Sequence, residues 1–254
     1  MAIIPQFFID AVVSIGIQTK ISTTWIGTGF LATRKVDSEG NAIPMLITNR
    51  HVVENQSMII LRFTDRTDGS LKEVPASLIE NEKPLYKTHP DSNVDIAVLQ
   101  LNAGFITENN FDFPAFDIDE HAMSSSDLRS KGVDEGSLVY MLGYPMGLVN
   151  VSSKLPICRL GCVARMSEAQ IHETKNILVD IQNFPGNSGS PIITRPEFIS
   201  IEDTPVFGAS TLLGIVHAYI PYREQLVNQQ TEEIVEMKIL VLNAKEVLNL
   251  FRII

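Results

Sequence analysis

The chain contains 254 residues, enough for one large domain or for two small packed lobes. Hydrophobic residues make up 44% of the sequence and charged residues 20%, which is the ordinary balance of a globular protein. Acidic residues outnumber basic residues by 30 to 20, and the resulting net charge of −10 argues against nonspecific binding to nucleic acid or to an anionic membrane.

The amino-terminal segment, MAIIPQFFIDAVVSIGIQTK, is apolar but does not have the pattern of a targeting signal. It lacks a basic first part and a small-residue cleavage site, and Asp10 interrupts it. No apolar run in the sequence approaches the roughly 20 residues that span a bilayer. We therefore expect a strand around AVVSIGI, a cytoplasmic location and no membrane partner.

Short apolar or alternating runs rich in Val, Ile, Leu and Thr recur along the chain, separated by turn residues. This spacing predicts an all-β protein of the barrel or sandwich type. The runs are AVVSIGI, TWIGTGFLAT, PMLITNR, SMIILRFT, VDIAVLQL, SLVYMLGY, ICRLGCVARM, NILVDIQN, SPIITR and TLLGIVHAYI. The more polar, turn-rich stretch at residues 105–135 suits a connection between two lobes.

One α-helix is predicted, at the end of the chain, in NAKEVLNLF. Asn243 can cap its first turn while Glu246 reaches back toward the cap. Val247, Leu248 and Phe251 follow at helical spacing and form an apolar stripe.

Two cysteines, Cys158 and Cys162, lie in the strand-like run ICRLGCV. Two half-buried thiols are the simpler interpretation, because a disulfide between them would strain an extended strand. The five histidines do not cluster with these cysteines at the spacing of a zinc site. We expect no metal and no cofactor.

The segment FPGNSGSP, residues 184–191, has the features that an acyl-transfer nucleophile requires. Attack by the Ser188 hydroxyl needs nearby N–H donors for the developing oxyanion, and Gly186 allows the backbone to turn without a Cβ clash. The N–H groups of Gly186 and Ser188 are the predicted oxyanion hole, and Gly189 permits close approach of substrate. A Gly- and Ser-rich turn between strands is common, so this segment alone leaves a purely structural interpretation open.

A histidine and an aspartate each lie at the end of an apolar strand. His51, in LITNRHVV, follows a strand and could reach a cleft, although a structural role is also open. Asp95, in NVDIAVLQL, precedes a strand at the edge of the core, and a buried carboxylate there needs a hydrogen-bond partner such as an imidazole N–H. A turn-capping role for Asp95 is the alternative, and Asp91 in the HPDSN loop is the competing carboxylate.

The order His51, Asp95, Ser188 is that of a chymotrypsin-type triad. The chain resembles that superfamily, and more specifically the bacterial high-temperature-requirement (Deg) family and compact trypsin-like peptidases. The matching segments are GTGF at 27–30, TNRHVV at 48–53, DIAVLQL at 95–101, GYP at 143–145, PGNSGSP at 185–191 and LLGIVHAY at 212–219.

The resemblance implies one peptidase domain over residues 1–254, built from two six-stranded antiparallel β-barrels and a C-terminal α-helix. Residues 1–118, approximately, would form the first barrel with His51 and Asp95. Residues 119–254 would form the second barrel with Ser188 and the helix. The implied activity is serine endopeptidase action on a protein or peptide substrate through an acyl-enzyme.

The resemblance also suggests substrate-binding residues. Gln182 would lie near the base of the primary specificity pocket, with Ala218 and Tyr219 forming a wall. Because Gln182 is neutral, we expect preference for an uncharged residue. His217 stands where relatives carry a small polar residue, and three roles are open: a hydrogen bond to Asp95, a place in the pocket that would favour Glu, or simple packing.

Two family features are missing from the sequence. Deg relatives usually carry a C-terminal PDZ domain, which is not expected here. The Ile-Val-Gly-Gly start of digestive relatives is also missing, so activation by cleavage there is not expected, and a regulatory partner is left open. The competing function is a protease-fold binding or regulatory protein without turnover. An esterase is disfavoured because the Ser–Asp–His order and the strand–turn–helix elbow of α/β-hydrolases are missing.

Overall fold

Two β-structured lobes follow each other along the chain. The computed structural model describes residues 4–150, 152–197 and 206–218, together with the backbone of residues 239–243. The first lobe contains strands β1 (Val12–Gln18), β2 (Thr23–Lys35), β3 (Ala42–Thr48), β4 (Met58–Thr64), β5 (Leu71–Ser77), β6 (Ile79–Glu80), β7 (Lys83–Pro84), β8 (Tyr86–Thr88), β9 (Ala97–Gln100) and β10 (Phe116–Asp117). The second lobe contains β11 (Leu138–Gly143), β12 (Ile157–Arg165), β13 (Asn176–Asp180), β14 (Pro191–Thr194), β15 (Leu212–Ala218) and β16 (Ile239–Asn243).

Short helical segments connect these strands. They are α1 (Gln6–Asp10), α2 (Arg50–Val53), α3 (Ala103–Glu108), α4 (Ile118–His121), α5 (Ser125–Ser130) and α6 (Glu168–Thr174), with a 3₁₀ turn at Pro145–Gly147. None of the helices in the described part of the chain is both long enough and apolar enough to cross a bilayer.

Eight strands of the first lobe form one sheet in the order β5-β4-β1-β2-β3-β9-β8, with β10 added in parallel to β2. The remaining two, β6 and β7, pair with each other as a separate antiparallel sheet. The end strands of the larger sheet, β5 and β8, are not paired with each other in the described residues. Pro75 lies in β5 and has no N–H to donate, as is typical of an edge strand.

The second lobe is a closed, six-stranded barrel in the order β11-β12-β13-β16-β15-β14, and every pair is antiparallel. Closure removes the free edges that an open sheet exposes. The long connection from β13 to β14, residues 181–190, leaves the barrel at one end and carries the predicted nucleophile.

The strand β2 is buried continuously from Gly27 to Ala32 because it is covered on both faces. Since alternate side chains of a strand point to opposite faces, Leu31 packs in the core of the first lobe, whereas Phe30 and Ala32 pack in a core shared with the second. This shared core also contains residues of the barrel, namely Leu142, Tyr144, Ile193, Leu212 and Ile215. The contact fixes the two lobes against each other.

The prediction of an all-β, double-barrel fold is confirmed, with one difference in detail. The second lobe is the expected six-stranded barrel, but the first is the open eight-stranded sheet. The chain passes from one lobe to the other between β10 and β11, the interval that contains the expected boundary at residues 118 and 119. Asn243 ends β16, and the rest of the predicted C-terminal helix lies outside the described residues.

The cysteines lie four positions apart along β12, where an extended strand separates them, and both thiols are free. Cys158 is exposed and Cys162 half-buried.

Candidate active site

His51 lies in α2, which begins two positions after the end of the inner strand β3. Val52 and Val53 are buried and anchor this single turn on the core of the first lobe. The His51 side chain points the other way and is 43% exposed. The sequence prediction placed His51 at the end of a strand, and the structure adds that a short helix begins there.

Asp95 lies just before β9 and holds His51 through both carboxylate oxygens. Its Oδ2 lies 2.5 Å from His51 Nδ1, and its Oδ1 accepts the backbone N–H of His51 at 3.1 Å. The amide of Asn49 donates to the Asp95 carbonyl at 2.7 Å, which ties the two segments together. Because a carboxylate accepts at Nδ1, that nitrogen carries the proton and Nε2 is left as the basic atom.

The competing carboxylate, that of Asp91, makes a hydrogen bond within its own loop. Its Oδ1 accepts the backbone N–H of Asn93 at 2.9 Å, which is the geometry of an Asx turn. Asp95 is therefore the carboxylate that the fold brings to His51.

Ser188 lies in the connection between β13 and β14, in a turn shaped by two glycines. Gly186 has φ +94° and Gly189 has φ +87°, the left-handed region that favours glycine. A Cβ on Gly189 would lie 1.9 Å from the Thr28 carbonyl oxygen, so no larger residue fits there. The N–H of Gly189 donates to the Val216 carbonyl at 2.9 Å, which fixes the turn against β15.

Thr28, in β2 of the first lobe, binds this turn from the other side. Its N–H donates to the Ser188 carbonyl at 2.9 Å, and its hydroxyl donates to the Gly186 carbonyl at 2.7 Å. The same hydroxyl accepts the N–H of Tyr144 at 3.0 Å, and the Thr48 hydroxyl donates to the Thr28 carbonyl at 2.8 Å. One fully buried threonine thus joins the nucleophile turn to the first lobe.

Gly27 shows how close the segments carrying His51 and Ser188 come to each other. A Cβ added to Gly27 would lie 2.9 Å from Val52 Cγ1, in the helix of His51, and 3.5 Å from the Ser188 carbonyl oxygen. The two segments therefore flank the same glycine. The Ser188 hydroxyl itself makes no hydrogen bond to a described side chain.

The peptide between Pro185 and Gly186 has a defined orientation. Its carbonyl accepts the N–H of Met146 at 2.5 Å. Because C=O and N–H point in opposite directions in a trans peptide, the N–H of Gly186 is directed away from Met146. Neither this N–H nor that of Ser188 has an acceptor among the described residues.

His217 is a half-buried residue of β15 with a different partner from those considered in the sequence. Its Nε2 lies 3.0 Å from Asn176 Oδ1, at the start of β13. Burial lowers the pKa of His217 to about 4, with an opposing effect of Asp95 and a supporting effect of His51. His217 is therefore a neutral imidazole near the His51–Asp95 pair, and its only side-chain hydrogen bond within the described residues is the one to Asn176.

The other predicted substrate-binding residues are placed only in part. Gln182 is exposed, and its Oε1 accepts a hydrogen bond of 3.0 Å from Arg159 Nη1. The Arg159 guanidinium also lies 4.8 Å from the centre of the Phe184 ring. Ala218 is the half-buried last residue of β15. Tyr219 lies outside the described residues.

Sequence reasoning missed the roles of Thr28, Asn49 and Arg159. Thr28 and Asn49 lie inside the motifs GTGF and TNRHVV quoted above, but those motifs do not indicate which groups the two side chains bind. No pattern in the sequence links Arg159 to Gln182, which lies on a different segment. No group of three or more His, Cys, Asp or Glu side chains suited to a metal converges in the part of the chain described here.

These features define a protein with the chymotrypsin-like double-barrel fold and a His–Asp pair beside a serine turn. The model of the trypsin-like peptidase domain family matches residues 27–197, and the chain belongs to that family. The family resemblance seen in the sequence is thereby confirmed.

One similar solved structure is the crystal structure of the MamO protease domain from Magnetospirillum magneticum in its apo form. It is 16% identical, with a TM-score of 0.54 over 96% of both chains, so it supports the fold alone. No curated protein sequence matches the chain.

Proposed function

We propose that the chain is a serine endopeptidase with Ser188 as nucleophile, His51 as general base and Asp95 as the orienting carboxylate. The observation that carries this proposal is the double contact of Asp95 with His51, on a helix that flanks the same glycine as the turn of Ser188. A His–Asp pair beside a serine turn is the arrangement that makes a weak hydroxyl nucleophile reactive.

The proposed reaction is acyl transfer in two halves. Ser188 Oγ forms a bond to the scissile carbonyl carbon as its proton passes to His51 Nε2. The carbon–nitrogen bond then breaks, and His51 returns the proton to the leaving amine. Water repeats the same steps on the acyl-enzyme, while Asp95 stabilises the charged imidazole in both halves.

The negative charge that develops on the substrate oxygen would be held by the N–H groups of Gly186 and Ser188. Such donors are fixed before reaction, and removing one typically costs about 10²- to 10³-fold in turnover. The Met146 contact to the Pro185 carbonyl and the Thr28 contact to the Gly186 carbonyl support this role, because they hold the peptides on both sides of Gly186.

The proposed substrate is a protein or peptide with an uncharged residue at the primary position. Gln182 carries no negative charge, and Arg159 places a cation beside it. Lys and Arg side chains would therefore meet like charge rather than a carboxylate. A library of fluorogenic peptides is expected to disfavour Lys and Arg, and strong preference for either would contradict this assignment of the pocket.

The test is labelling by a fluorophosphonate serine probe, run on the wild type and on Ser188→Ala in parallel. Labelling of the wild type alone, with the adduct mapped to Ser188 by mass spectrometry, is the expected result. An unlabelled wild type that is folded by circular dichroism would contradict the proposal.

A second function, binding or regulation without turnover, is favoured by one observation. The Ser188 hydroxyl has no hydrogen-bond partner among the described side chains, and a base must reach the proton that it removes. Apo enzymes often close this contact only with substrate. A binding protein would retain peptides in a pull-down assay and would neither cleave them nor react with the fluorophosphonate.

A further inference from the structure

Arg62 is a cation of β4 that connects the two lobes. It is 9% exposed, and its Nη1 donates to the Asn150 carbonyl of the second lobe at 2.7 Å. Its Nε and Nη2 both donate to Glu73 Oε1, at 3.2 and 2.9 Å. The guanidinium also lies 4.7 Å from the centre of the Trp25 ring. Several contacts therefore fix its position.

Glu73 is fixed in turn by Thr23, whose hydroxyl donates to Glu73 Oε2 at 2.7 Å. This hydrogen bond is the largest effect that lowers the pKa of Glu73, burial opposes it, and Arg62 adds to it. Glu73 thus remains ionised at neutral pH and holds the fork of Arg62 toward Asn150.

Asn150 is the last residue of a segment that contacts the proposed oxyanion hole. This segment, residues 144–150, lies on Trp25, because a Cβ on Gly147 would be 3.2 Å from the Trp25 carbonyl oxygen and 3.4 Å from its Cβ. Met146 has a positive φ of +54°, which is unfavourable for a residue other than glycine, so the turn needs external contacts to keep its shape. The N–H of Met146 is the donor to the Pro185 carbonyl.

We propose that Arg62 is a positioning residue for the oxyanion hole: through Asn150 it holds segment 144–150, which orients the Pro185–Gly186 peptide. Arg62 does not touch the substrate in this account. The inference rests on the proposed peptidase function and deepens it. A side chain of the first lobe, Arg62, thereby keeps a hydrogen-bond donor of the second lobe, the Gly186 N–H, in place.

The effect is expected in turnover rather than in substrate binding. Oxyanion contacts strengthen in the transition state, so a misplaced Gly186 N–H lowers kcat and leaves KM nearly unchanged. The matched experiment compares Arg62→Met with Arg66→Met. Arg66 pairs with Asp112 within the first lobe at 3.4 Å and is exposed.

Both variants are measured by fluorophosphonate labelling rate and by kcat and KM on a peptide found in the library. Arg62→Met is expected to lose about 10- to 100-fold in labelling rate and in kcat, with KM within about threefold. Arg66→Met is expected to match the wild type. Arg62→Lys, which keeps the charge but not the fork, is expected to fall between them.

A second pair of variants tests the same segment if Arg62→Met fails to fold. Gly147→Ala would press a Cβ against Trp25 and displace the turn, whereas Gly40→Ala also places alanine at a positive φ, +90°, but with no atom within 4 Å of the added Cβ. Gly147→Ala is expected to slow labelling and Gly40→Ala to leave it unchanged.

The outcomes distinguish the positioning role of Arg62 from the proposed peptidase function on which it rests. If the wild type is labelled and Arg62→Met and Gly147→Ala react at the wild-type rate, the positioning role is wrong while the peptidase proposal stands. Equal losses in Arg62→Met and Arg66→Met would also overturn the positioning role. If the folded wild type is not labelled, both proposals fail.

Discussion

The hydroxyl of Thr28, in the first lobe, donates a hydrogen bond of 2.7 Å to the carbonyl of Gly186, in the second. The two residues are 158 positions apart in the chain. The same hydroxyl accepts the buried N–H of Tyr144, so a single oxygen stabilises both the nucleophile turn and the segment beside it. The proposed active site therefore depends on the contact between the lobes.

Replacing Thr28 by Val removes this oxygen with little change in shape. Gly186 and Tyr144 each lose a hydrogen-bond partner, and an unsatisfied buried group costs about 1 to 3 kcal/mol. We expect the free energy of unfolding, measured in urea, to fall by at least that amount and the fluorophosphonate labelling rate to fall with it. Thr24→Val, an exposed position on the same strand, is the control and should remain within about 0.5 kcal/mol of the wild type. Equal values for the two variants would contradict the role of Thr28.

Replacing Asp95 by Asn is expected to lower kcat by about 10⁴-fold, the loss associated with a triad carboxylate. An amide can hold the wrong tautomer of His51 and cannot stabilise the imidazolium that forms. The check is steady-state cleavage of a fluorogenic peptide by protein shown to be folded. Asp91→Asn makes the same chemical change in the neighbouring loop, where Asp91 binds the Asn93 N–H, and is expected to retain wild-type kcat. Wild-type turnover by Asp95→Asn would remove Asp95 from the mechanism.

Replacing Gly189 and Gly136 by alanine, one at a time, distinguishes the effect of backbone strain from that of a steric clash. Both have positive φ, +87° and +91°, and alanine in this region costs about 1 to 2 kcal/mol. A Cβ on Gly189 would also collide with Thr28 and Thr48, whereas one on Gly136 meets no atom within 4 Å. We therefore expect Gly189→Ala to abolish labelling and to destabilise the fold by clearly more than Gly136→Ala. Similar unfolding free energies for the two variants would show that the turn can move away from Thr28.

The sequence was sufficient to predict the double-barrel class through its family resemblance. It also nominated His51, Asp95 and Ser188 from short motifs beside apolar strands, and the structure brings the first two of these into contact. It could not predict the role of the Thr28 hydroxyl, whose partners Gly186 and Tyr144 are more than 100 positions away. The helix of His51 has only four residues, too few for a helical pattern. The open sheet of the first lobe was missed because strands such as β10, with two residues, have no periodicity of their own.

The role of His217 shows the same limit. Three roles were open from the sequence, yet its observed partner Asn176 lies on another strand, 41 positions away. The lowered pKa of His217 also depends on burial, which only the packed barrel provides.

Stability at acidic pH should depend on His217. Its pKa is lowered by burial from the ordinary 6.5 to about 4, so the unfolded chain binds a proton there that the folded protein excludes. Stability from the neutral imidazole is therefore fully present above about pH 6.5 and is lost as the pH falls toward 4. The full difference corresponds to about 3 kcal/mol.

The measurement is the urea unfolding free energy of the wild type, His217→Gln and His172→Gln between pH 7 and pH 4. Gln cannot take up the proton, so His217→Gln should lose less stability over this range than the wild type. His172 is exposed, and its variant should follow the wild-type curve. Comparing variants cancels the contribution of His121, whose pKa is also lowered by burial. Parallel curves for all three proteins would contradict this prediction. They would mean that His217 takes up a proton as easily in the folded protein as in the unfolded chain, and that its imidazole is charged at mildly acidic pH.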